Sequence, residues 1–288
     1  MDNIPLHNTP AGPSAVNQAF HRLQRAATRF GTGVSVIRDF KNWLDVFQHV
    51  TTNKQLKALH RRDGTKIVGA GETQLWNHYN DIWNHRSYTK YFEIPADGVV
   101  LDVGANVGVF CLFAARKARL VHAFEPSLTN FEYLVANTRK TPNIVVHNFA
   151  IGSANGHATL DVSGSPTSCT LIDNWTPDTA SEIVETKTLN TVFKDLGIEH
   201  CDYMKLDCEG SEYAILLSVD TTLLGRIDTI VLEFHDHLTN CCSHRDLLQK
   251  LRSSGFRASA YNHSTTYGMI AAQRLRNGCT LLPGSSSS

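Results

Sequence analysis

The first feature with chemical potential is a glycine-containing loop that reads Asp102-Val-Gly104-Ala-Asn106-Val-Gly108. Its glycines allow a sharp turn and a close approach to main-chain amides, and the helix that follows points its positive end at any ligand there. Dinucleotide enzymes use Gly-x-Gly-x-x-Gly to seat a pyrophosphate, but Asn106 occupies the position of the second glycine. The loop therefore indicates a ligand without a pyrophosphate, or else an ordinary strand-to-helix turn.

S-adenosylmethionine is such a ligand, because it carries no phosphate. Its amino-acid end has an ammonium group that can pair with Asp102 and a carboxylate that can accept hydrogen bonds from loop amides. Glu125 ends the next apolar run, 17 residues after Gly108, near the spacing of about 20 at which Rossmann-like folds place a ribose-binding acid. The alternative for Glu125 is a strand-end side chain that faces water.

A third motif, Lys205-Leu-Asp207-Cys-Glu209-Gly-Ser-Glu212, gathers three acids within six residues after another apolar run. Such a grouping is costly unless the acids bind cations, hydrogen-bond donors or a proton in transfer. Asp207 or Glu209 could orient or deprotonate a substrate hydroxyl. Glu212 is expected only to favour the N-terminus of the next helix.

The fourth motif is Glu233-Phe-His235-Asp-His237, in which Glu233, His235 and His237 share one face if the strand persists. His235 close to Asp207 would make a general base, because imidazole titrates near neutral pH. Cys241, Cys242 and His244 follow, so a zinc site is an alternative. Their spacing matches no zinc signature, and adjacent cysteines chelate one ion awkwardly, so we expect no metal.

Short apolar runs separated by helical segments must position these motifs. Runs of this kind, alternating with helices, predict a doubly wound and mostly parallel α/β sheet. The last two runs are joined by only a few polar residues, so the final strand must run antiparallel. The predicted strands are Val99–Val103, Leu120–Pro126, Asn143–Ile151, Asp202–Asp207 and Asp228–His235, followed by the runs FRASAY and YGMIAAQRL.

Shifts in composition along the chain divide it into four predicted parts. Residues 1–18 form a flexible arm, 19–95 a helical and hairpin cap with a turn at Asp63-Gly64, 96–276 the main domain, and 277–288 a flexible tail. The stretch from Ser163 to Ser181 is expected to be a long surface loop beside the site.

Charge and cysteine content exclude several classes of function. Lysine plus arginine and aspartate plus glutamate both number 27, so no basic excess indicates nucleic acid. No apolar stretch is long enough to span a membrane, and the N-terminus carries no ordinary secretory signal. Seven cysteines without a Cys-x-x-Cys pair favour a reduced, cytoplasmic protein. The sequence leaves the oligomeric state open.

Taken together and in this order, the motifs resemble the FkbM family of methyltransferases. The matching strings are VVLDVGANVGVF, HAFEPSLTNFEYLVANT, NFAIGSANG, DYMKLDCEGSEYAIL and IDTIVLEFHDH. The resemblance implies a class I, Rossmann-like methyltransferase fold with a seven-stranded sheet that has one antiparallel strand. It also implies S-adenosylmethionine as donor and O-methylation of a hydroxyl on a small molecule, either a sugar or a secondary metabolite.

The resemblance also assigns residues. The cofactor positions that it implies are Asp102, Gly104, Asn106, Gly108 and Glu125, with Asn148 near the adenine. The family's Asp-x-Glu-Gly and Glu-x-His positions, the candidate catalytic residues, are Asp207, Glu209, Glu233 and His235. Two alternatives remain, a nicotinamide-dependent oxidoreductase and a non-catalytic protein that binds S-adenosylmethionine. The missing second glycine opposes the first, and the intact acid and histidine set opposes the second.

Overall fold

The structure is a computed structural model, and it describes residues 35–69, 74–162, 170–172, 180–239 and 242–275. The predicted arm at 1–18 and tail at 277–288 lie outside the described residues, as do Cys241 and most of the predicted Ser163–Ser181 loop. The predicted division at residues 95 and 96 stays a prediction.

A helix, a hairpin and a second helix precede the main sheet. The hairpin strands pair antiparallel from Ala58↔Val68 to His60↔Lys66, as predicted, and Gly64 in the turn has a φ of +96°. The second helix runs directly into one π-helical turn, Asn80–Asn84. These elements are α1 (Trp43–Thr52), β1 (Ala58–His60), β2 (Lys66–Val68) and α2 (Gln74–Tyr79).

The remaining elements are strands and helices that alternate at first and then include five strands in succession, β5 to β9. They are β3 (Val99–Val103), α3 (Val109–Ala114), β4 (Leu120–Phe124), α4 (Leu128–Thr138), β5 (Ile144–His147), β6 (Ala150–Ile151), β7 (Gly156–Asp161), β8 (Thr170–Ile172) and β9 (Ser181–Lys187). They continue with α5 (Leu189–Asp195), β10 (Cys201–Leu206), α6 (Glu212–Ser218), α7 (Thr221–Leu224), β11 (Ile227–His235), α8 (His244–Ser253), β12 (Phe256–Asn262) and β13 (Tyr267–Arg274), with a 3₁₀ turn at Asp236–Leu238 after β11.

Seven of the strands form the predicted doubly wound sheet, in the order β12-β13-β11-β10-β3-β4-β5. Neighbours from β11 to β5 pair in parallel, whereas β13 pairs antiparallel with both β11 and β12. The predicted single antiparallel strand is therefore confirmed. The two faces of the sheet are covered by separate apolar clusters, which explains why its strands are continuous apolar runs.

Aromatic residues before residue 84 pack on the main domain through helix α3. Tyr79 lies between Phe40, at a ring distance of 5.1 Å, and Trp83, at 5.4 Å. The indole of Trp83 donates a hydrogen bond to the carbonyl of Val109, 3.2 Å away. Large rings of this kind bury much apolar area, so the described N-terminal elements share a core with the first helix of the sheet.

A small second sheet, in the order β6-β9-β7-β8, was not predicted. The single strand expected over Asn143–Ile151 breaks into β5 and β6, because the side chain of Asn148 turns to donate to the carbonyls of Glu125 and Pro126. The predicted long loop is interrupted by β8, whose backbone pairs with β7. In β7 and β9 most side chains are exposed or half-exposed, so these two strands lack the apolar run that identifies a buried strand.

Local sequence predicts four helix ends: capping boxes at Thr129 with Glu132 and at Ser243 with Asp246, and stops at Gly197 and Gly255. Three of the four are confirmed. Ser243 and Asp246 form their capping box, Gly197 has a φ of +63° two residues after α5, and Gly255 has a φ of +87° two residues after α8. The capping box expected between Thr129 and Glu132 is wrong, since α4 already begins at Leu128. There the backbone N–H of Leu128 donates to Glu182 of β9, so a residue distant in sequence satisfies the helix N-terminus.

Gly104→Ala should disrupt the junction between the loop and β10. Gly104 has a φ of +78°, and a Cβ there would lie 1.8 Å from the backbone oxygen of Asp207. We expect a loss of about 3 kcal/mol or more, from positive-φ strain and from overpacking against backbone. Urea denaturation of the variant measures this loss.

Gly197→Ala is the matched control for this prediction. Its φ is also positive, at +63°, but no atom lies within 4 Å of the added Cβ. It should lose only about 1 kcal/mol, the cost of the backbone conformation alone. Equal losses in the two variants would show that the close approach at Gly104 is unimportant.

Candidate active site

The carboxyl ends of β3, β4 and β10 border one cleft, where open α/β sheets place their ligands. Residues at all three strand ends line it, among them Val103, Phe124 and Asp207. The lining combines apolar residues, Phe149, Ile151 and Leu160, with acidic ones, Glu125 and Asp207. Such a surface suits a ligand with one flat apolar part and one polar part.

Backbone hydrogen bonds hold the glycine-containing loop against strand β4. The N–H groups of Gly104 and Ala105 donate to the carbonyl of Phe124 at 3.1 and 2.9 Å. Asn106 has a φ of +51°, and its N–H donates to the Glu125 carboxylate at 2.8 Å. Gly104, Ala105 and Asn106 all line the cleft, so a bound molecule would contact the backbone of this loop.

Glu125 lies directly after β4 and is buried in the wall of the cleft. Its carboxylate accepts hydrogen bonds from the N–H groups of Asn106 and of Ser127, the latter at 3.0 Å. Burial raises the pKa of Glu125 to about 7, and these two N–H groups oppose that rise. Each carboxylate oxygen has a further lone pair, so the group can still accept hydrogen bonds from ligand hydroxyls.

Asp102 is fully buried, and the described lining of the cleft does not include it. Its carboxylate pairs with the Lys205 ammonium at 3.1 Å, and Lys205 also donates to the carbonyl of Gly104 at 2.6 Å. Burial raises the pKa of Asp102, and Lys205 opposes that rise. The geometry thus connects Asp102 to the loop through Lys205, and direct pairing of Asp102 with a ligand ammonium stays a prediction.

Gly108 and Asn148 are likewise absent from the described lining of the cleft. A Cβ on Gly108 would lie 2.8 Å from a methyl carbon of Leu134, so close packing of α4 accounts for this glycine. The Asn148 side chain holds the turn after β4, and the next residue, Phe149, faces the cleft. Their predicted cofactor contacts remain predictions.

Asp207 and Glu233 are brought together by a tyrosine from outside the sequence motifs. The hydroxyl of Tyr88 lies 2.7 Å from Asp207 Oδ2 and 3.2 Å from Glu233 Oε2. Tyr88 is itself buried, and Tyr203 donates a hydrogen bond to its backbone carbonyl. Asp207 lines the cleft, so Tyr88 connects the cleft wall to the end of β11.

His235 lies at the end of β11 among three glutamates. Its Nε2 is 3.6 Å from Glu209 and 3.9 Å from Glu233, and its Nδ1 is 3.5 Å from Glu212. Glu233 and His235 therefore share a face as predicted. His237 does not continue this face, because the strand ends at His235 and a 3₁₀ turn follows.

Glu212 does more than favour the N-terminus of its helix. Its carboxylate accepts hydrogen bonds from the N–H groups of Cys208 at 2.7 Å and Gly210 at 2.8 Å. These bonds hold the turn in which Glu209 has a φ of +48°, a conformation that is unusual for a residue with a side chain. Glu212 thus positions both Glu209 and His235.

The pKa values in this cluster move away from their ordinary ranges. Burial and the neighbouring Asp207 raise the pKa of both Glu209 and Glu233 to about 7. Burial alone would raise the pKa of Asp207 as well, but Lys205 and Tyr88 lower it. For His235, burial acts to lower the pKa, yet Glu212 and the other carboxylates raise it to about 9. Free His235 is therefore protonated at neutral pH.

Sequence reasoning missed three of these residues or their roles. Lys205 was visible as the one cation in an otherwise apolar strand, and Glu212 was assigned only to its helix. Tyr88 lies 119 residues before Asp207 and had no signal beyond an aromatic-rich segment.

The residues present fit S-adenosylmethionine. The apolar lining residues suit an adenine ring, the buried Glu125 carboxylate suits ribose hydroxyls, and the loop backbone lies on the same cleft. A seven-stranded sheet with β13 inserted antiparallel, and a site at the carboxyl ends of its parallel strands, define a class I methyltransferase.

Comparisons with known proteins agree with this class. Residues 102–258 match the family described as the Methyltransferase FkbM domain. The chain is 31% identical over 209 residues to the 31-O-demethyl-FK506 methyltransferase FkbM of Streptomyces tacrolimicus, covering 59% of this chain and 77% of that protein. The chain belongs to the FkbM methyltransferase family, and its cofactor is S-adenosylmethionine.

Two further relatives are matched over smaller shares of their own length. The AMB antimetabolite synthetase AmbE of Pseudomonas aeruginosa is 28% identical over 238 residues, covering 68% of this chain and 11% of the synthetase. The hexuronic acid methyltransferase AglP of Haloferax volcanii is 28% identical over 149 residues, covering 50% of this chain and 58% of AglP. The chain thus spans a small part of the synthetase and just over half of AglP.

Among the described residues, no helix has both the length and the apolar character that crossing a bilayer requires.

Donor affinity should depend on pH through Glu125. With a pKa of about 7, Glu125 is mostly protonated below that pH and mostly ionised above it. Only the ionised carboxylate can accept two ribose hydroxyls besides its two backbone N–H groups. We expect the affinity for S-adenosylhomocysteine, measured by calorimetry, to rise about tenfold between about pH 6 and about pH 8.

The control is Glu125→Gln, whose amide does not titrate. We expect this variant to bind more weakly at pH 8 and to lose most of the pH dependence. A slope that is the same in both proteins would remove Glu125 from the donor site.

Proposed function

We propose that this protein transfers a methyl group from S-adenosylmethionine to a hydroxyl of a small molecule, a sugar or a secondary metabolite. The observation that supports the proposal most is that the donor residues and the acceptor residues line one cleft. Asp207 and Glu209 line the same cleft as Glu125 and the loop backbone. An acceptor held by the two acids would therefore lie beside the donor.

At the donor end, the chain supplies shape and hydrogen bonds. Glu125 would hold the ribose, and Phe149 with Ile151 would cover the adenine. Asp102 acts through Lys205, which keeps the loop carbonyl of Gly104 in place. When bound, S-adenosylmethionine supplies a methyl group activated by its sulfonium charge.

At the acceptor end, the chain orients a hydroxyl and receives its proton. The acceptor oxygen gains the methyl carbon while the carbon–sulfur bond breaks and leaves its electron pair on sulfur. The hydroxyl proton passes to a carboxylate of the cluster and then to water. Asp207 and Glu209 line the cleft and can touch the acceptor, whereas His235 contacts Glu209 from behind at 3.6 Å. Most of the acceleration comes from positioning both reactants.

The relatives support this acceptor class. One acts on 31-O-demethyl-FK506 and another on a hexuronic acid, both of them small molecules. The family membership and Asn106 in the glycine-containing loop leave the nicotinamide alternative without support. A non-catalytic protein that binds the donor remains an outcome of the tests that follow.

Donor binding should stabilise the folded protein. S-adenosylhomocysteine added at about 100 times its dissociation constant should add about 2.7 kcal/mol to the free energy of unfolding, because it binds only the folded state. Differential scanning fluorimetry would show this as a raised Tm. NAD serves as the control and should leave Tm unchanged. A shift with NAD and none with S-adenosylhomocysteine would overturn the cofactor assignment for this site.

Substitutions in the acid cluster should separate binding from chemistry. We expect Asp207→Asn and His235→Ala to keep near-normal affinity for S-adenosylhomocysteine, since neither residue belongs to the donor end. At least one of them should lose about 100- to 10,000-fold in turnover, as is typical when a group that handles the proton is removed. Labelled donor, with candidate sugars and secondary metabolites as acceptors, measures turnover by mass spectrometry.

His157→Ala is the control for His235→Ala, because His157 is exposed on β7. It should turn over at the wild-type rate. If Asp207→Asn and His235→Ala both turn over normally, the cluster takes no part in catalysis. If both lose stability and donor affinity together, its role is structural.

A further inference from the structure

Two carboxylates and one imidazole converge where β10 and β11 end. Asp207, Glu233 and His235 each present one oxygen or nitrogen, and these three atoms lie within 4.8 Å of one another. Neighbouring ligands around one divalent ion, each about 2.1 Å from it, are roughly 3–3.5 Å apart. Glu233 Oε1 and His235 Nε2 are already 3.9 Å apart, so side-chain movements of about 1 Å would complete the site.

His235 gives an independent indication of a missing partner. Its side chain is only 9% exposed, and its Nδ1 faces the Glu212 carboxylate at 3.5 Å. Its Nε2, at 3.6 Å from Glu209 and 3.9 Å from Glu233, is directed among carboxylates but is beyond hydrogen-bond distance of both. Buried imidazoles normally have partners, and a metal ion is one that Nε2 can take.

Residues around the three ligands make the contacts that usually orient metal ligands in proteins. Metal-bound histidines usually direct their other nitrogen at a carboxylate, and Glu212 occupies that position beside Nδ1. Metal-bound carboxylates are usually hydrogen-bonded as well. Tyr88 bonds Oδ2 of Asp207 and Oε2 of Glu233, which leaves the other oxygen of each carboxylate for an ion.

Charge in this part of the fold is also unbalanced. Four carboxylates, those of Asp207, Glu209, Glu212 and Glu233, lie near one another. Among the described residues, Lys205 lies 3.8 Å from Asp207, but it is closer to Asp102, at 3.1 Å. Lys205 and His235 together do not balance the four carboxylates and Asp102, so a cation at the convergence would be favoured.

We propose that Asp207, Glu233 and His235 bind one divalent metal ion of the type that accepts both carboxylate and imidazole ligands, such as Mn²⁺ or Zn²⁺. Of the three ligands, Asp207 lines the cleft, so a hydroxyl of an acceptor bound there would lie near the ion. This role rests on the proposed methyl transfer, and there the ion would make the hydroxyl more acidic. The sequence predicts no metal, because these ligands come from two strands and match no linear spacing.

A second group, His200, Asp202 and Asp228, also offers three ligand atoms within 4.8 Å. It lies at the opposite ends of β10 and β11, and His200 is exposed. His200 Nε2 is already 3.3 Å from Asp228, and Asp202 accepts a hydrogen bond from the N–H of Val99. Surface ion pairing accounts for this group, so it serves as a control for the metal proposal.

The test is direct titration of chelator-treated, full-length protein with Mn²⁺, followed by electron paramagnetic resonance. Mn²⁺ is the probe because the free thiols of the described chain, such as Cys208, would bind Zn²⁺. We expect one tight Mn²⁺ per chain. Glu233→Gln and His235→Ala should each weaken binding at least about tenfold, as should Tyr88→Phe through the outer layer. His200→Ala should bind Mn²⁺ as the wild type does.

Glu233→Gln keeps the shape of a partly exposed side chain, so it guards against a folding failure of His235→Ala. Unchanged binding of S-adenosylhomocysteine confirms that each variant is folded. The proposal is overturned if Mn²⁺ does not bind stoichiometrically at millimolar concentration. It is equally overturned if Glu233→Gln and His235→Ala, both folded, bind Mn²⁺ like the wild type.

Activity distinguishes this proposal from the proposed function. If methyl transfer continues in protein shown to contain no metal, the proposed role of the ion is wrong and the proposed function stands. If the protein binds Mn²⁺ stoichiometrically, loses this binding in Glu233→Gln and shows no methyl transfer, the metal site is supported and the proposed function is wrong.

Discussion

Lys205 carries a positive charge into the interior of the sheet, where burial costs several kcal/mol unless the charge is paired. Its ammonium meets Asp102 at 3.1 Å on β3, Asp207 at 3.8 Å after β10, and the carbonyl of Gly104 at 2.6 Å. Burial acts to lower its pKa, but the two aspartates raise it, so the ion pair persists. One charge thereby sets the position of the donor loop and of the acid cluster together.

The main sheet could be predicted from sequence because each of its strands is a buried apolar run bounded by polar residues. Val99–Val103 matches its prediction residue for residue. The second sheet could not be predicted, since β7 and β9 expose much of their surface and have no such run. The start of α4 was misplaced for a related reason, as its N-terminus is satisfied by Glu182, a partner that local sequence does not reveal.

The sequence predicts those residues of the candidate site that lie at the ends of strands. Asp207 and Glu125 follow buried strands and Glu233 lies near the end of one, and parallel strands bring their carboxyl ends to one edge. Sequence could not show that Asp102 turns to Lys205, because that depends on the register between β3 and β10. Nor could it show Tyr88, whose contact with Glu233 spans 145 residues.

The position of β13 has a consequence for how this chain is made. The strand lies between β11 and β12, although it is the last of the three to be synthesised. Until residues 267–274 leave the ribosome, the edge of β11 that ends in Glu233 and His235 has no partner strand. Unpaired strand edges of this kind invite association with other chains. The nascent domain is therefore exposed to aggregation until β13 has been synthesised and has paired with β11 and β12.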